Sequence, residues 1–446
     1  MNIVNSSLTR RSFLKRSGFA AGYSLLPGAL RAFAPNARLR TAHVGVGGMG
    51  GADLGSVSSH AGVEVAALCD VDAKILAEAG AKFPAARTFR DYREMISTLG
   101  DSIDAVVVST PDHTHAAAAM TAFNHSRPVY CQKPLTHEVF EARQLRRVAE
   151  QKGLVSQMGI QASAGLPYRR ATKLIRSGVI GKVSRVYAWS YKNWGYDGPG
   201  FEKHDEVPAT LDWNLWIGTA GLRPYKNGVY HRGQWRKQVD FGTGTLGDMG
   251  VHIFDTPYRA LKLTAPLWAQ TTCRQPTGVG HPEKNIVEYE FPGTEFTTET
   301  MKWTWYDGAY APPVIQAAGL PEDLKLPAQG AVFVGETGSL LLPHVAEPQI
   351  FGEPASREQK FDLEPRNHYH QWVDACMGSG STSSPFSYSG PLTEALLLGV
   401  VANRFPGEKL MWDAGKLRIT NLEQANALLQ RTPRDGFEVA GLQAQS

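Results

Sequence analysis

The stretch Thr41–Gly50, TAHVGVGGMG, limits what this chain can fold into more than any other. An apolar run holding Val44 and Val46 leads into Gly45, Gly47 and Gly50, spaced G-x-G-x-x-G. The first glycine permits a tight turn from strand to helix. The second lets a phosphate reach bare backbone, and the third lets the helix lie close on the strand. The unpaired N–H groups at the start of that helix then face a pyrophosphate. Glycine is common here, at 45 of 446 residues, so the spacing alone is weak. Its context is stronger. A second apolar run, Val63–Cys69, ends in Asp70, twenty residues after Gly50. An acidic side chain at the tip of a second strand can accept a hydrogen bond from a ribose 2′-OH. It would repel a 2′-phosphate, and no arginine follows it directly, which favours NAD over NADP.

Strand-like runs at 41–46, 63–69, 104–109, 127–131 and near 154–158 alternate with helix-like stretches at 49–59, 73–82, 90–98, 114–124 and 136–152. Such alternation predicts βαβ units and a parallel sheet covered on both faces. Ligands bind beyond the carboxyl ends of such strands. The loop Ser109-Thr110-Pro111-Asp112-His113-Thr114-His115 and the strand end Gln132-Lys133 are therefore expected beside a cofactor. A helix follows at about 165–177, then runs at 183–189, 268–273, 286–291, 296–305 and 331–334. These alternate as antiparallel strands with one wet face do. Between them, 190–245 is rich in glycine, proline and aromatics, as a functional insertion is. Helices return over 365–430 and are expected to pack back on the first part. The expected class is α/β: a doubly wound parallel sheet over 35–160, then an α+β domain over 161–446 with a large, mostly antiparallel sheet.

Residues 1–34 read as an export signal. Thr9-Arg10-Arg11-Ser12-Phe13-Leu14-Lys15 resembles the twin-arginine signal, and Ala32-Phe33-Ala34 has the form of a cleavage site. The apolar stretch between them, Gly18–Leu30, is short and interrupted, so no stable membrane span is expected. This segment holds five basic residues and no acid, and without it the chain carries −1 instead of +4. A near-neutral body argues against a nucleic-acid partner. The four cysteines are scattered, with neither metal nor disulfide spacing.

Three features carry chemistry. Lys133 sits where a side chain can donate to a sugar hydroxyl. On a helix from about residue 245, Asp248, His252, Asp255 and Arg259 share one face, and an imidazole one turn from a carboxylate can act as a general base. An aromatic belt over 189–235, including Tyr191, Trp194 and His231, offers flat faces to sugar rings, though many such side chains serve ordinary packing.

Taken together, Gly45–Gly50, Cys69-Asp70-Val71-Asp72, Ser109–His115, Lys133-Pro134 and Asp248-x-x-x-His252 resemble the Gfo/Idh/MocA oxidoreductases. The leader and Asp240-Phe241-Gly242-Thr243-Gly244 resemble the exported bacterial branch. The resemblance implies a Rossmann domain followed by a largely antiparallel α/β domain whose open sheet forms homo-oligomers. It implies a nicotinamide dinucleotide held by Gly45, Gly47, Gly48, Met49, Gly50 and Asp70. Ser109, Thr110, Pro111, His113 and His115 join these, as do Gln132, Lys133 and Gln161. Lys133 matches the lysine of the family's Glu-Lys-Pro motif, with Gln132 in place of its glutamate, which removes a charge near Lys133. Asp248 and His252 match its D-x-x-x-H pair, and Tyr191, Trp194 and His231 are added as substrate contacts.

The expected function is an exported NAD-dependent oxidoreductase moving hydride between a carbon of a sugar, glycoside or polyol and the nicotinamide. Lys133 and His252 would handle the proton, with Asp248 orienting His252. Two rival readings stand beside it. One is a redox-neutral, NAD-dependent glycosidase acting by transient C3 oxidation and elimination. The other is a non-catalytic sugar-binding protein, which would not need Lys133, Asp248 and His252 together.

Overall fold

The computed structural model describes residues 37–308, 310, 312–353, 355 and 360–443, so the leader lies outside the described residues. The first alternation resolves into β1 (Leu39–Val44), β2 (Val63–Cys69), β3 (Arg87–Phe89), β4 (Ala105–Val108), β5 (Val129–Gln132) and β6 (Ser156–Gly159). They form one sheet in the order β3-β2-β1-β4-β5-β6, paired in parallel throughout. The chain winds outward from β1 in both directions, so the crossovers part beside β1 and β4 and open a crevice at the strands' carboxyl ends. Helices α1 (Met49–Ser58), α2 (Ala73–Lys82), α3 (Tyr92–Leu99), α4 (Asp112–Asn124) and α5 (Val139–Lys152) cover the faces. Strand β4, Ala-Val-Val-Val, is buried at every position, which is why it reads as an unbroken apolar run. Strand β3 has three residues, two of them exposed, and so carries no periodic signal.

Helix α6 (Leu166–Arg176) leads to a nine-stranded sheet. Its strands are β7 (Val183–Ser190), β8 (Trp268–Thr272), β9 (Asn285–Pro292), β10 (Thr297–Asp307), β11 (Gln329–Gly335), β12 (Gly338–Pro343), β13 (Gln349–Gly352), β14 (Lys409–Asp413) and β15 (Arg418–Ile419). The order is β13-β12-β11-β7-β10-β9-β8-β14-β15, and only β7 and β10 run parallel. Alternation in β9 buries Val287, Tyr289 and Phe291 on one face, beside Met301, Trp303 and Trp305 of β10.

The insertion holds a short helix, α7 (Trp213–Ile217), and is followed by α8 (Val251–Ala260), which lies on that apolar face with the Phe254 ring 4.4 Å from Trp303. On the other face, Val314 and Ala318, in and just after α9 (Val314–Ala317), meet Tyr187, Trp189 and Tyr306. Helices α10 (His368–Cys376) and α11 (Phe386–Ala402) return to the first sheet, where Trp372, Val373 and Cys376 pack on Leu39, Val107 and Tyr130. Burial of each such large side chain contributes about 1.5–3 kcal/mol, so this return clamps the two sheets together.

The insertion has a core of its own: Leu211, Trp216, Ile217, Tyr225, Trp235 and Phe241. Trp213, Trp216, Tyr225, Tyr230 and Trp235 of the expected aromatic belt are spent here on packing, which corrects the sugar-platform reading for them, and Trp189 is buried in β7. Backbone bonds fasten the insertion to the end of β2: Ala73 N donates to Thr210 O at 2.8 Å and Asp212 N to Val71 O at 2.9 Å. Among the described residues no helix is long and apolar enough to cross a membrane.

Candidate active site

A cleft of about 380 Å³ opens at the carboxyl ends of β1 and β2. One wall carries Gly45, Gly47, Gly48, Met49 and Asp70; Ser109, Thr110, Pro111, Gln132 and Lys133 continue it. The insertion supplies the facing wall with Leu215, Trp216, His231, Trp235 and Arg236. The glycine turn is built for close approach. At Gly45, φ is +80°, and an added Cβ would stand 2.7 Å from Ser109 O. At Gly50 it would stand 2.1 Å from Gly45 O. No side chain caps α1 at Gly48; Gly50 N donates to Gly47 O at 2.9 Å, and the uncapped helix start faces the cleft, where an anion can meet it. The Asp70 carboxylate is fixed by two backbone amides, Val46 N and Asp72 N, each at 3.0 Å. Burial raises its pKa, and those amides oppose the rise. Bare glycine backbone, an uncapped helix start and an oriented acid fit a dinucleotide.

Three expected cofactor contacts lie elsewhere. His113 and His115 are buried and do not line the cleft. His113 Nε2 meets Trp216 O at 3.0 Å, and the His115 ring bridges Pro134 O and Thr110 O, so both imidazoles brace loops from behind. Gln161 donates to Tyr369 Oη at 3.0 Å and is also off the cleft. His231 does line the cleft, with Nε2 3.1 Å from Asp72 Oδ2, on the side of Asp70. Arginines do line the cleft, from the turn after β3 and the start of α3. Arg90 donates to Val71 O and Thr210 O, and Arg93 to Asp91 and Gly436 O.

Gln132 is explained by a residue the motif reading missed. Its amide donates to both oxygens of buried Asp53, at 3.0 and 2.9 Å. Ser109 Oγ, at 2.6 Å, and Tyr369 Oη, at 2.8 Å, donate to the same carboxylate. The charge expected at position 132 therefore sits on α1. The signal was present, since Gly50, Asp53, Leu54 and Val57 are the buried stripe of that helix. Gln132→Glu is expected to set two carboxylates together and cost ~1–3 kcal/mol in chemical denaturation at neutral pH. Adding Asp53→Asn should recover most of that loss; failure to recover would contradict the pairing.

Lys133 Nζ donates to Asp248 Oδ1 at 2.7 Å and to Asp248 O at 2.9 Å, and Arg236 Nε donates to the same Oδ1 at 3.0 Å. Burial opposes ionisation of Asp248, but Lys133 and Arg236 outweigh it and hold the carboxyl far below the usual carboxylate range. Asp248 thus serves the two cations, which corrects the expected Asp248–His252 pairing. The reason is local. Leu246–Gly250 is a π turn, wider than an α turn, so the four-residue step to His252 does not place the two side chains as a plain helix would. Gly247 permits that turn, because a Cβ there would stand 1.9 Å from Thr243 Oγ1.

His252 is half-buried, its Nδ1 is buried with no hydrogen-bond partner among the described residues, and its ring lies 5.5 Å from that of His344. Burial first, and then Lys133, push its pKa well down, so it is a neutral imidazole near pH 7. Trp194 sits beside this group with the Arg236 guanidinium 5.4 Å from its ring, whereas Tyr191 is 46% exposed just past β7. Trp194, Tyr191 and His252 do not line the cleft proper. Among the described residues no cluster of His, Cys, Asp and Glu could hold a metal.

The parallel sheet, its glycine turn and Asp70 define a dinucleotide-binding protein. Two family models match the chain: the oxidoreductase family with an NAD-binding Rossmann fold over residues 39–160, and that family's C-terminal α/β domain over 164–263. The chain belongs to the Gfo/Idh/MocA oxidoreductases, and its first domain is their NAD-binding domain. It is 34% identical over 146 residues to an inositol 2-dehydrogenase of Mycolicibacterium smegmatis, an alignment covering 32% of this chain and 42% of that one. Its fold is similar to that of the WlbA dehydrogenase from Bordetella pertussis, solved with NADH and UDP-GlcNAcA, at TM-score 0.61 and 15% identity over 84% of this chain and 99% of that one. GenD2 of gentamicin A biosynthesis, solved with NAD, gives TM-score 0.59 at 19% identity over 86% of this chain and 99% of that one.

Proposed function

We propose that this chain oxidises or reduces a hydroxyl-bearing carbon of a sugar, glycoside or polyol, using a nicotinamide dinucleotide held in the cleft. The observation that carries the reading is the placement of Lys133 on the cleft wall. Two of its three N–H hydrogens go to Asp248, which leaves the third for a substrate oxygen. That donor stabilises negative charge as a hydroxyl loses its proton. Asp248 keeps the ammonium in position, and the neutral ring of His252 is the group able to accept the proton. A nicotinamide bound in the cleft would supply the hydride acceptor. The dehydrogenase named among the relatives and the nucleotide sugar in the WlbA structure support a carbohydrate or polyol substrate.

If His252 takes the proton, the acid limb of the pH–rate profile lies below the ordinary imidazole value of 6.5. Burial and Lys133 lower its pKa, so the ring stays deprotonated, and the rate holds, as pH falls through that value. His252→Asn should slow turnover and abolish this limb. A limb at or above 6.5 that survives the substitution would remove His252 from the role.

A redox-neutral course is favoured by one observation: the insertion is fastened over the cofactor end through Thr210, Asp212 and His231. A cofactor enclosed in this way suits reduction and reoxidation within one turnover. Export by the twin-arginine route, for which Arg10 and Arg11 are the support, suits it too. Assembly through the open second sheet remains part of the proposal. The test is to desalt the purified protein, measure retained nicotinamide, and supply sugars, polyols and glycosides. NADH accumulating with added NAD supports net oxidation. Aglycone release without NADH supports the redox-neutral course. No product from any class, with cofactor bound, overturns both in favour of a binding role.

A further inference from the structure

One end of the cleft is lined by Arg90, Asp91, Tyr92 and Arg93 together with Phe437, from the last segment of the described chain. Phe437 lies beyond both regions matched by the family models, 39–160 and 164–263. The segment that carries it is stitched down along its length. Arg431 pairs with Glu138 at 3.0 Å, before α5, and donates to Asp240 O of the insertion at 2.7 Å. Arg434 donates to Gly218 O at 2.7 Å. Asn124, at the end of α4, donates to Ala440 O at 2.9 Å, and Val439 packs into the main core. Phe437 is thereby fixed in place.

Two guanidinium groups lie over the Phe437 ring, Arg93 at 4.3 Å and Arg434 at 4.0 Å. Arg93 is held at all three nitrogens. Its Nε and Nη2 donate to Asp91, and its Nη1 donates to Gly436 O at 2.6 Å. Its plane is therefore set and its charge is matched by Asp91, yet the side chain is still 35% exposed. With its nitrogens engaged and a ring behind it, what Arg93 offers the cleft is a flat face. The order of parts along the cleft says what meets that face. The phosphates belong at Gly45–Gly48 and the ribose at Asp70, at the end of β2. Strand β3 lies next to β2 in the sheet, so the turn after β3 stands one strand further out. The group beyond the ribose is the adenine base.

We propose that the adenine base stacks on the Arg93 guanidinium with Phe437 behind it, so that the C-terminal segment is part of the dinucleotide site. Base and guanidinium are both planar, and a pinned guanidinium loses little freedom on stacking. The proposal rests on the dinucleotide site and not on the choice of substrate, so a failed search for a sugar leaves it standing.

Nicotinamide cytosine dinucleotide differs from NAD only in the base, a single pyrimidine ring in place of the purine. Calorimetric titration of the full chain, stripped of nucleotide, should favour NAD by about ten-fold, the size of one stacked base. Arg93→Lys keeps a cation beside Asp91 and removes the planar face. Phe437→Leu keeps apolar bulk behind Arg93 and removes the ring. Each should bring the preference to within about three-fold, through weaker NAD binding. A substitution that merely loosens the chain weakens both nucleotides alike and keeps their ratio, and that result would overturn the stacking role. So would a parent chain without the preference, or a preference that survives both substitutions. Loss in Arg93→Lys alone would overturn the part given to Phe437 and the C-terminal segment.

Discussion

Lys133→Met is expected to lower turnover by about a hundred- to ten-thousand-fold while dinucleotide affinity stays within about two-fold of the parent. The substitution keeps a chain of similar length but removes the donor facing the cleft. Asp248 is not stranded by it, because Arg236 still donates to Oδ1 at 3.0 Å. The usual penalty for leaving a buried charge alone, about 3–5 kcal/mol, therefore does not fall due. Stability should change little, and the loss should appear in the rate. Single-turnover reduction of bound nicotinamide, followed by its fluorescence, reads the step directly. Near-parental rates would remove Lys133 from the chemistry. A collapse in thermal stability would instead assign it a structural role.

Gly50→Ala is expected to cost ~3 kcal/mol or more in chemical denaturation and to abolish measurable dinucleotide binding. The new Cβ would stand 2.1 Å from the oxygen and 2.8 Å from the carbon of Gly45. Both are backbone atoms of the phosphate turn, so relief requires α1 to leave β1. Gly47→Ala is the control. There the Cβ meets only the Ile75 side chain, at 3.0 Å, which can rotate aside. It should keep the fold and weaken binding by crowding the cleft. Similar behaviour of the two variants would refute this division of roles between the glycines.

Legibility in the sequence followed the range of the interaction. Gly45, Gly50 and Asp70 were readable because the geometry they impose is local, within one βαβ unit. The long alternation of β9 and the unbroken run of β4 were readable because burial writes its period into the chain. The partners of each side chain were not. His113, His115, Gln161 and His231 are polar residues near the ends of strands or in the insertion, and a sequence does not distinguish one that faces a ligand from one that braces a loop. Lys192 meets Met249, Tyr168 meets His344 and His344 meets His252 only through tertiary packing. Asp53 shows the same limit in another form. The motif's missing charge was carried by a different element, 79 positions away.

The walls of the cleft are drawn from Gly45–Met49, Asp70–Ile75, Arg90–Arg93, Leu215–Arg236 and Phe437. A molecule seated there touches segments that the unfolded chain holds far apart, and it touches them only when folding has assembled them. Nucleotide binding and folding are therefore one linked equilibrium: at a hundred times its dissociation constant the dinucleotide adds about 2.7 kcal/mol to the folded state. In this protein the coenzyme is also a structural staple. The melting temperature should thus climb with nucleotide concentration, and a stripped preparation should be the first to yield to a protease.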